Sequence, residues 1–279
     1  MKYGTLVRIP PEGDLKEEST KRFRRLAELG LDSCQLSYKP AEYRVEDAAV
    51  IAAAAKENGI EISAQFLGNR DDLCFWDNYY DYRLAGVNSL LFGGERIRYL
   101  LSAIPFVQAL GITDVIIHAG FIPADPFSEK YADMLSVVRL LGTRLKAAGL
   151  NLLFETGQES PVILLRLIED AGLDNLYINL DTANILMYGY GNPVDAVYTF
   201  GKYVRNMHAK DGFPPTGGRI MGKEAEIGEG FVDFRKVFSM LKALGYDRYV
   251  TIEREISGGQ QEEQIMKALD RLKKIVEEV

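Results

Sequence analysis

The stretch NLYINLDTANILMYGYGNPVDAVYTFGKYVRNMHAKDG, residues 175–212, contains two short apolar runs that are typical of β-strands. The first run ends at Asp181 and the second reaches His208, and a helix-sized segment that begins near Pro193 separates them. Two parallel strands joined by a crossover helix bring their carboxyl ends to the same edge of a sheet. We therefore expect Asp181 and His208 to lie close together at that edge.

The same alternation of strand-like and helix-like segments runs along the whole chain. Strand-like runs are predicted at residues 2–9, 33–38, 61–68, 113–120, 150–157, 176–181, 203–212 and 247–255. An amphipathic, helix-like segment follows each run. Regular alternation with eight repeats predicts an α/β fold, a single (β/α)8 TIM barrel over residues 1–279. An open doubly wound sheet is disfavoured because no G-x-G-x-x-G motif follows the first strand.

The composition is typical of a soluble globular protein. Of the 279 residues, 47% are hydrophobic and 26% are charged. The net charge of −7 argues against a nucleic-acid partner, which would require clustered Lys and Arg. The amino-terminal stretch lacks the features of a signal peptide, and the apolar run at residues 48–55 is too short to span a bilayer. Cys34 and Cys74 are expected to be free thiols, so we expect a cytoplasmic protein with no membrane partner.

The functional side chains of such a barrel lie at the carboxyl ends of its strands. Those ends carry His118, Glu155, Asp181, His208 and Glu253. Three carboxylates at one place repel one another, and a divalent cation removes the repulsion. Oxygen donors with one imidazole suit Mn²⁺, Mg²⁺ or Co²⁺, and Zn²⁺ is an alternative.

A buried network of ion pairs is the other interpretation of these charged strand ends. It would need counter-charges, and Lys210, Arg205 and Arg254 are the candidates. The two histidines of the chain both fall at predicted strand ends, which favours function over structure for the pair. His208 is then the metal ligand, whereas His118 is expected to contact the substrate or donate a proton.

Five motifs resemble those of the sugar phosphate isomerase/epimerase family of the xylose-isomerase-like TIM barrels, which includes the ketose 3-epimerases. They are ETGQE (155–159), NLDTAN (179–184), HAKDG (208–212), GEGFVDF (228–234) and TIEREI (251–256). The resemblance implies that Glu155, Asp181, His208 and Glu253 hold one divalent cation per chain, Mn²⁺ first among the candidates. It also implies that Glu155 and Glu253 flank the reacting carbon as catalytic acid and base.

The expected activity is that of a divalent-metal-dependent sugar isomerase or epimerase, which removes a proton next to a polarised carbonyl and passes through an enediolate. A metal-dependent lyase, either an inosose-type dehydratase or an enzyme that cleaves 3-oxo-glycosides, begins with the same step and is the alternative. Asn184 keeps it open, because ketose 3-epimerases carry a D-x-x-H motif here and an amide cannot carry a proton. A phosphodiesterase of the endonuclease IV type would need more histidines, and a non-catalytic sugar-binding barrel would not need four metal ligands.

Six residues are candidates for substrate binding: His118, Asn184, Lys210, Trp76, Arg219 and Glu255. Lys210 follows His208 by two residues and so shares its face, where it would stabilise the enediolate or neutralise Asp211 or Glu255.

Trp76 belongs to a long aromatic loop at about residues 69–94, which is expected to act as a lid, a subunit contact or plain packing. Arg219 is the nearest match to a substrate-contacting Arg of the ketose 3-epimerases. The expected partner is a small sugar or a sugar-derived substrate, and a phosphorylated substrate is not predicted. A homodimer or a homotetramer is the expected assembly.

Overall fold

The computed structural model describes residues 1–68, 86–89, 92–256 and 258–279. Its strands are β1 Lys2–Val7, β2 Ser33–Tyr38, β3 Glu61–Leu67, β4 Asp114–Ile117, β5 Asn151–Glu155, β6 Leu176–Asp181, β7 Val204–Ala209, β8 Asp211–Phe213, β9 Lys223–Ala225 and β10 Tyr249–Ile252. Eight of these strands close a parallel barrel in the order β1-β10-β7-β6-β5-β4-β3-β2. The predicted barrel is confirmed. The antiparallel hairpin of β8 and β9 is an addition that the alternation did not predict.

Helices connect the barrel strands. They are α1 Leu15–Glu28, α2 Asp47–Glu57, α3 Gly93–Ser102, α4 Ile104–Leu110, α5 Glu129–Ala147, α6 Pro161–Ala171, α7 Asn184–Met187, α8 Pro193–Phe200, α9 Phe234–Ala243 and α10 Gly259–Glu278. Short 3₁₀ turns lie at Pro40–Glu42 and Gly201–Tyr203. Among the described residues, none of the helices combines the length and the apolar character that crossing a bilayer requires.

The sequence pattern predicts one helix over residues 95–111, but the structure has two helices there, α3 and α4, which meet at Ala103. Pro105 explains the break, because proline lacks the N–H that an α-helix interior needs but is tolerated in a first turn. The backbone N–H of Ala103 instead donates to the carbonyl oxygen of Leu100, at 3.2 Å.

The barrel interior has an apolar layer in its middle and a polar layer at the carboxyl end of the strands. Ala64, Ile116 and Leu153 pack together inside it, with Phe66 and Tyr177 against them. Above this layer, Asp181 of β6 and His208 of β7 are direct register partners in the sheet. The expectation that these two side chains lie close together is therefore confirmed.

Candidate active site

Four side chains meet at the carboxyl end of the barrel: Glu155, Asp181, His208 and Glu253. One donor atom from each lies within 4.8 Å of the other three. The Nδ1 atom of His208 is 2.8 Å from Glu155 Oε1, 3.1 Å from Glu253 Oε2 and 3.9 Å from Asp181 Oδ2. Two donors of one cation, each about 2.0–2.6 Å from it, lie no more than about 5 Å apart. The spacing therefore fits a single cation.

The hydrogen bonding of these atoms gives a separate test of that fit. Within the described residues, Asp181 Oδ2, His208 Nδ1 and Glu253 Oε2 are buried and make no hydrogen bond. Buried polar atoms are nearly always satisfied, and three unsatisfied donor atoms that converge on one point are what a bound cation would satisfy. The donor set fits a divalent cation.

The charges around this point change the pKa values of the cluster. Burial raises the pKa of Asp181 well above its ordinary value. Burial acts in the same direction on Glu253, but the charges of Lys210 and His208 outweigh it and hold the pKa of Glu253 well below its ordinary value. Without a cation, these shifts favour the protonated form of Asp181 and the ionised form of Glu253.

Local hydrogen bonds fix the orientation of the Asp181 carboxylate. Its Oδ1 atom accepts the backbone N–H groups of Ala183 at 2.8 Å and Asn184 at 2.7 Å, at the start of α7. The chain turns back immediately after β6, so these donors lie beside the strand end. Oδ2 is thereby left to face the other three side chains.

Lys210 joins two further candidates to the cluster. Its ammonium donates to Asn184 Oδ1 at 3.2 Å and to Glu255 Oε1 at 2.5 Å. It also lies 3.6 Å from Glu253 Oε2. Of the two partners predicted for Lys210, the structure selects Glu255. The carboxylate of Asp211 instead accepts backbone N–H groups of the segment 212–232.

The other two counter-charges proposed for an ion-pair network lie elsewhere. Arg205 Nε is 2.8 Å from Asp114 Oδ2, a residue at the opposite end of the barrel strands. Arg254 pairs with Glu224 and donates to the carbonyl oxygen of Ala225. The pairing of these two arginines weakens the ion-pair interpretation of the cluster.

The remaining candidates are placed less closely. His118 follows β4, and the Phe66 ring packs edge-on against it with centroids 5.6 Å apart and lies 5.8 Å from the His208 ring. Burial lowers the pKa of His118, which favours the neutral imidazole. Arg219 is exposed in the turn between β8 and β9, unlike the buried cluster. Trp76, Cys74 and most of the aromatic loop lie outside the described residues.

Three polar residues near the site were not predicted. Gln35 and Asn179 are fully buried and lie within hydrogen-bonding distance of His208 and Glu155, respectively. Asn179 precedes Asp181 by two residues and so shares its face, a signal that the sequence does carry. Glu159 ends the ETGQE motif, and burial raises its pKa to about 8.

Comparison with known proteins agrees with this geometry. Residues 23–275 match the model of the xylose isomerase-like TIM barrel family. The chain belongs to this family. The resemblance predicted from the five motifs is thus confirmed. A search of the curated proteins found no significant match to this chain.

Three solved structures with this xylose isomerase-like fold cover nearly the whole chain. A xylose isomerase domain protein from Planctomyces limnophilus has 28% identity and a TM-score of 0.85, over 100% of this chain and 99% of its own. D-psicose 3-epimerase from Clostridium cellulolyticum H10, solved with D-tagatose, has 15% identity and a TM-score of 0.71, over 99% of both chains. A xylose isomerase-like barrel from Mycobacterium smegmatis in complex with magnesium has 16% identity and a TM-score of 0.72, over 99% and 96%.

Proposed function

We propose that this xylose isomerase-like barrel is a divalent-metal-dependent sugar epimerase or isomerase. The observation that carries the proposal is the convergence of three carboxylates and one imidazole on one point, with three of the four donor atoms buried and not hydrogen-bonded among the described residues. Glu155, Asp181, His208 and Glu253 would hold the cation, with Mn²⁺ proposed and Mg²⁺, Co²⁺ or Zn²⁺ as alternatives. When bound, the cation supplies Lewis-acid polarisation of a sugar carbonyl, which acidifies the adjacent C–H.

Glu253 is the proposed base. The ionised form of its carboxyl is the one that can accept a proton from carbon, and the charge of Lys210, 3.6 Å away, favours that form. Glu155, on β5, is separated from β10 by two strands of the barrel and therefore reaches the centre from another side. Proton return by Glu155 to the opposite face of the same carbon gives epimerisation, and return to the neighbouring carbon gives isomerisation.

Lys210 and His118 have supporting roles in this proposal. The Lys210 ammonium lies 3.9 Å from Asp181 Oδ2 and 3.6 Å from Glu253 Oε2, and its proposed role is to donate to an oxygen that gains negative charge in the enediolate. His118, neutral and next to Phe66, is a candidate to donate a hydrogen bond to a sugar hydroxyl. The positive charges of the proposed cation and Lys210 are balanced by the negative charges of the cluster carboxylates and Glu255. This balance supports an uncharged sugar as the substrate.

Exchange of carbon-bound hydrogen tests this function. Protein stripped with EDTA is reloaded separately with Mn²⁺, Mg²⁺, Co²⁺ or Zn²⁺ and incubated in D₂O with free ketoses, aldoses and 3-oxo-sugars. We expect deuterium at the carbon next to the carbonyl in recovered sugar, and loss of that exchange in Glu253→Gln. An unsaturated or fragmented product would support a lyase instead, and the absence of exchange with every ion would contradict the proposal.

The cytoplasm is the proposed compartment. Cys34 is a free and fully buried thiol in the structure. Burial raises its pKa to about 12, so it stays protonated and inert. An unpaired cysteine of this kind is ordinary in a reducing compartment.

A further inference from the structure

Two buried amides connect Glu155 to His208 across the barrel interior. Asn179 of β6 donates from Nδ2 to Glu155 Oε2. Gln35 of β2 donates from Nε2 to Asn179 Oδ1 at 3.1 Å, and its Oε1 lies 2.6 Å from His208 Nε2. The four side chains, each at most 2% exposed, form a ring that the 2.8 Å approach of His208 Nδ1 to Glu155 Oε1 closes. We call Gln35 and Asn179 the amide relay.

The direction of every hydrogen bond in this ring follows from the Glu155 carboxylate. A Glu155 carboxylate that binds a cation can only accept hydrogen bonds, so the group of Asn179 that faces it must be the NH₂. The Asn179 oxygen then faces Gln35, which must present its own NH₂ there and its oxygen to His208. An amide oxygen cannot donate, so His208 Nε2 must carry the hydrogen. Reversing either amide would set oxygen against oxygen.

We propose that the amide relay is a positioning device that makes Nδ1 the lone-pair nitrogen of His208. This inference rests on the proposed metal site, since Nδ1 is the ring nitrogen that points at the convergence of carboxylate oxygens. A neutral imidazole has two tautomers, and only the one protonated on Nε2 can bind a cation through Nδ1. The relay removes the other tautomer.

The relay also positions Glu155. Because Asn179 holds Oε2, only Oε1 is left to face the cation position. The two ligands are thereby oriented together by residues that touch no cation themselves. Outer hydrogen-bond partners of this kind typically contribute about 10–100-fold to metal affinity.

Calorimetric titration of metal-free protein with MnCl₂ tests the inference without any need for turnover. Gln35→Met and Asn179→Leu remove the two amides with little change in volume, and each should weaken Mn²⁺ binding by about 10–100-fold. Gln65→Met is the matched control, because Gln65 is equally buried on the neighbouring strand β3 but donates to the backbone oxygen of Leu36. It should bind Mn²⁺ like the wild type, and thermal unfolding checks that all variants are folded.

Nitrogen-15 NMR of the ZnCl₂-loaded protein gives an independent reading, because the chain has only two histidines to assign. We expect His208 to carry its proton on Nε2 in the wild type, and this single state to be lost in Gln35→Met. A proton on Nδ1, or unchanged Mn²⁺ affinity in both relay variants, would overturn the inference while leaving the metal site intact. Failure of the wild type to bind either ion would overturn the metal site and the relay together.

Discussion

The Nδ1 atom of His208 lies 2.8 Å from Glu155 Oε1, and Glu253 Oε2 approaches the same atom to 3.1 Å. Burial alone would favour the neutral ring, but the two carboxylates outweigh it and raise the pKa of His208 well above its ordinary value. When no cation is bound, the two carboxylates therefore favour a second proton on Nδ1, in addition to the one that Nε2 presents to Gln35. A cation bound at Nδ1 would replace that second proton.

Cation binding should therefore release protons. A cation on Nδ1 must displace the hydrogen, so Mn²⁺ affinity should rise with pH up to the raised pKa of His208 and then level off. The measurement is calorimetric titration with MnCl₂ at pH 7 in two buffers of different ionisation enthalpy. Their apparent binding enthalpies should differ in proportion to the protons released. Equal enthalpies in both buffers would contradict the assignment of His208 as a ligand.

The sequence predicts the barrel and the convergence of the four candidate ligands for the same reason. Parallel strands share one carboxyl edge, so residues at strand ends such as Asp181 and His208 meet without any knowledge of side-chain packing. The break at Pro105 was not predicted, although the missing N–H of proline is a local property that the sequence does carry.

The amide relay shows what the sequence does not contain. Gln35 and Asn179 are 144 residues apart and become neighbours only when β2 and β6 face each other across a closed barrel. The partner of Lys210 was undecided for a similar reason. Asp211 is next to it in sequence, yet backbone N–H groups of a segment up to 21 residues away satisfy that carboxylate.

Lys210→Met should separate cation binding from catalysis. The ammonium lies 3.9 Å from Asp181 Oδ2 and 3.6 Å from Glu253 Oε2. Its positive charge therefore repels the Mn²⁺ ion that these carboxylates are proposed to bind. We expect tighter Mn²⁺ binding but a loss of about 10²–10³-fold in kcat, because the developing negative charge loses a donor. Lys202→Met is the control, since Lys202 is exposed and lies near Glu169, at 3.9 Å, and the Tyr203 ring, at 4.9 Å, rather than the cluster. Weaker Mn²⁺ binding in Lys210→Met would show that Lys210 instead holds the ligands in place.

Glu159 should make the stability of the fold depend on pH. Burial raises its pKa from 4.5 to about 8, so between these values the folded protein keeps a proton that the unfolded chain has lost. Stability contributed by this group is therefore present below pH 4.5 and is lost as pH rises toward 8. This change of stability with pH is opposite to that of a salt-bridged carboxylate, whose contribution is lost as pH falls.

Glu159→Gln should remove this dependence, because a neutral amide does not titrate. Relative to the wild type, the variant should gain roughly 2–5 kcal/mol in the free energy of unfolding at pH 9 and little at pH 5. Urea denaturation at the two pH values measures the difference. Glu169→Gln, on the exposed face of α6, should show no such gain at pH 9. An equal effect of Glu159→Gln at both pH values would show that the carboxyl is not protonated in the fold.

Asp211→Asn should loosen the segment that follows β9. Oδ1 of Asp211 accepts the backbone N–H groups of Gly212 at 2.8 Å and Val232 at 3.1 Å, and Oδ2 accepts those of Gly228 at 2.8 Å and Gly230 at 3.0 Å. Asparagine keeps one acceptor oxygen and sets an NH₂ against two N–H donors, at a cost of about 1–3 kcal/mol for each buried donor left unpaired.

The backbone at Gly230 packs directly against this carboxylate, because a Cβ at position 230 would lie 2.2 Å from Asp211 Oδ1. We therefore expect faster tryptic cleavage after Lys223 in Asp211→Asn, since local opening exposes the neighbouring backbone. Asp233→Asn is the matched control, because Asp233 caps α9 through one oxygen, at 2.9 Å from the Lys236 nitrogen, and asparagine caps equally well. Cleavage at the same rate in both variants would mean that the four hydrogen bonds to Asp211 do not hold this segment closed.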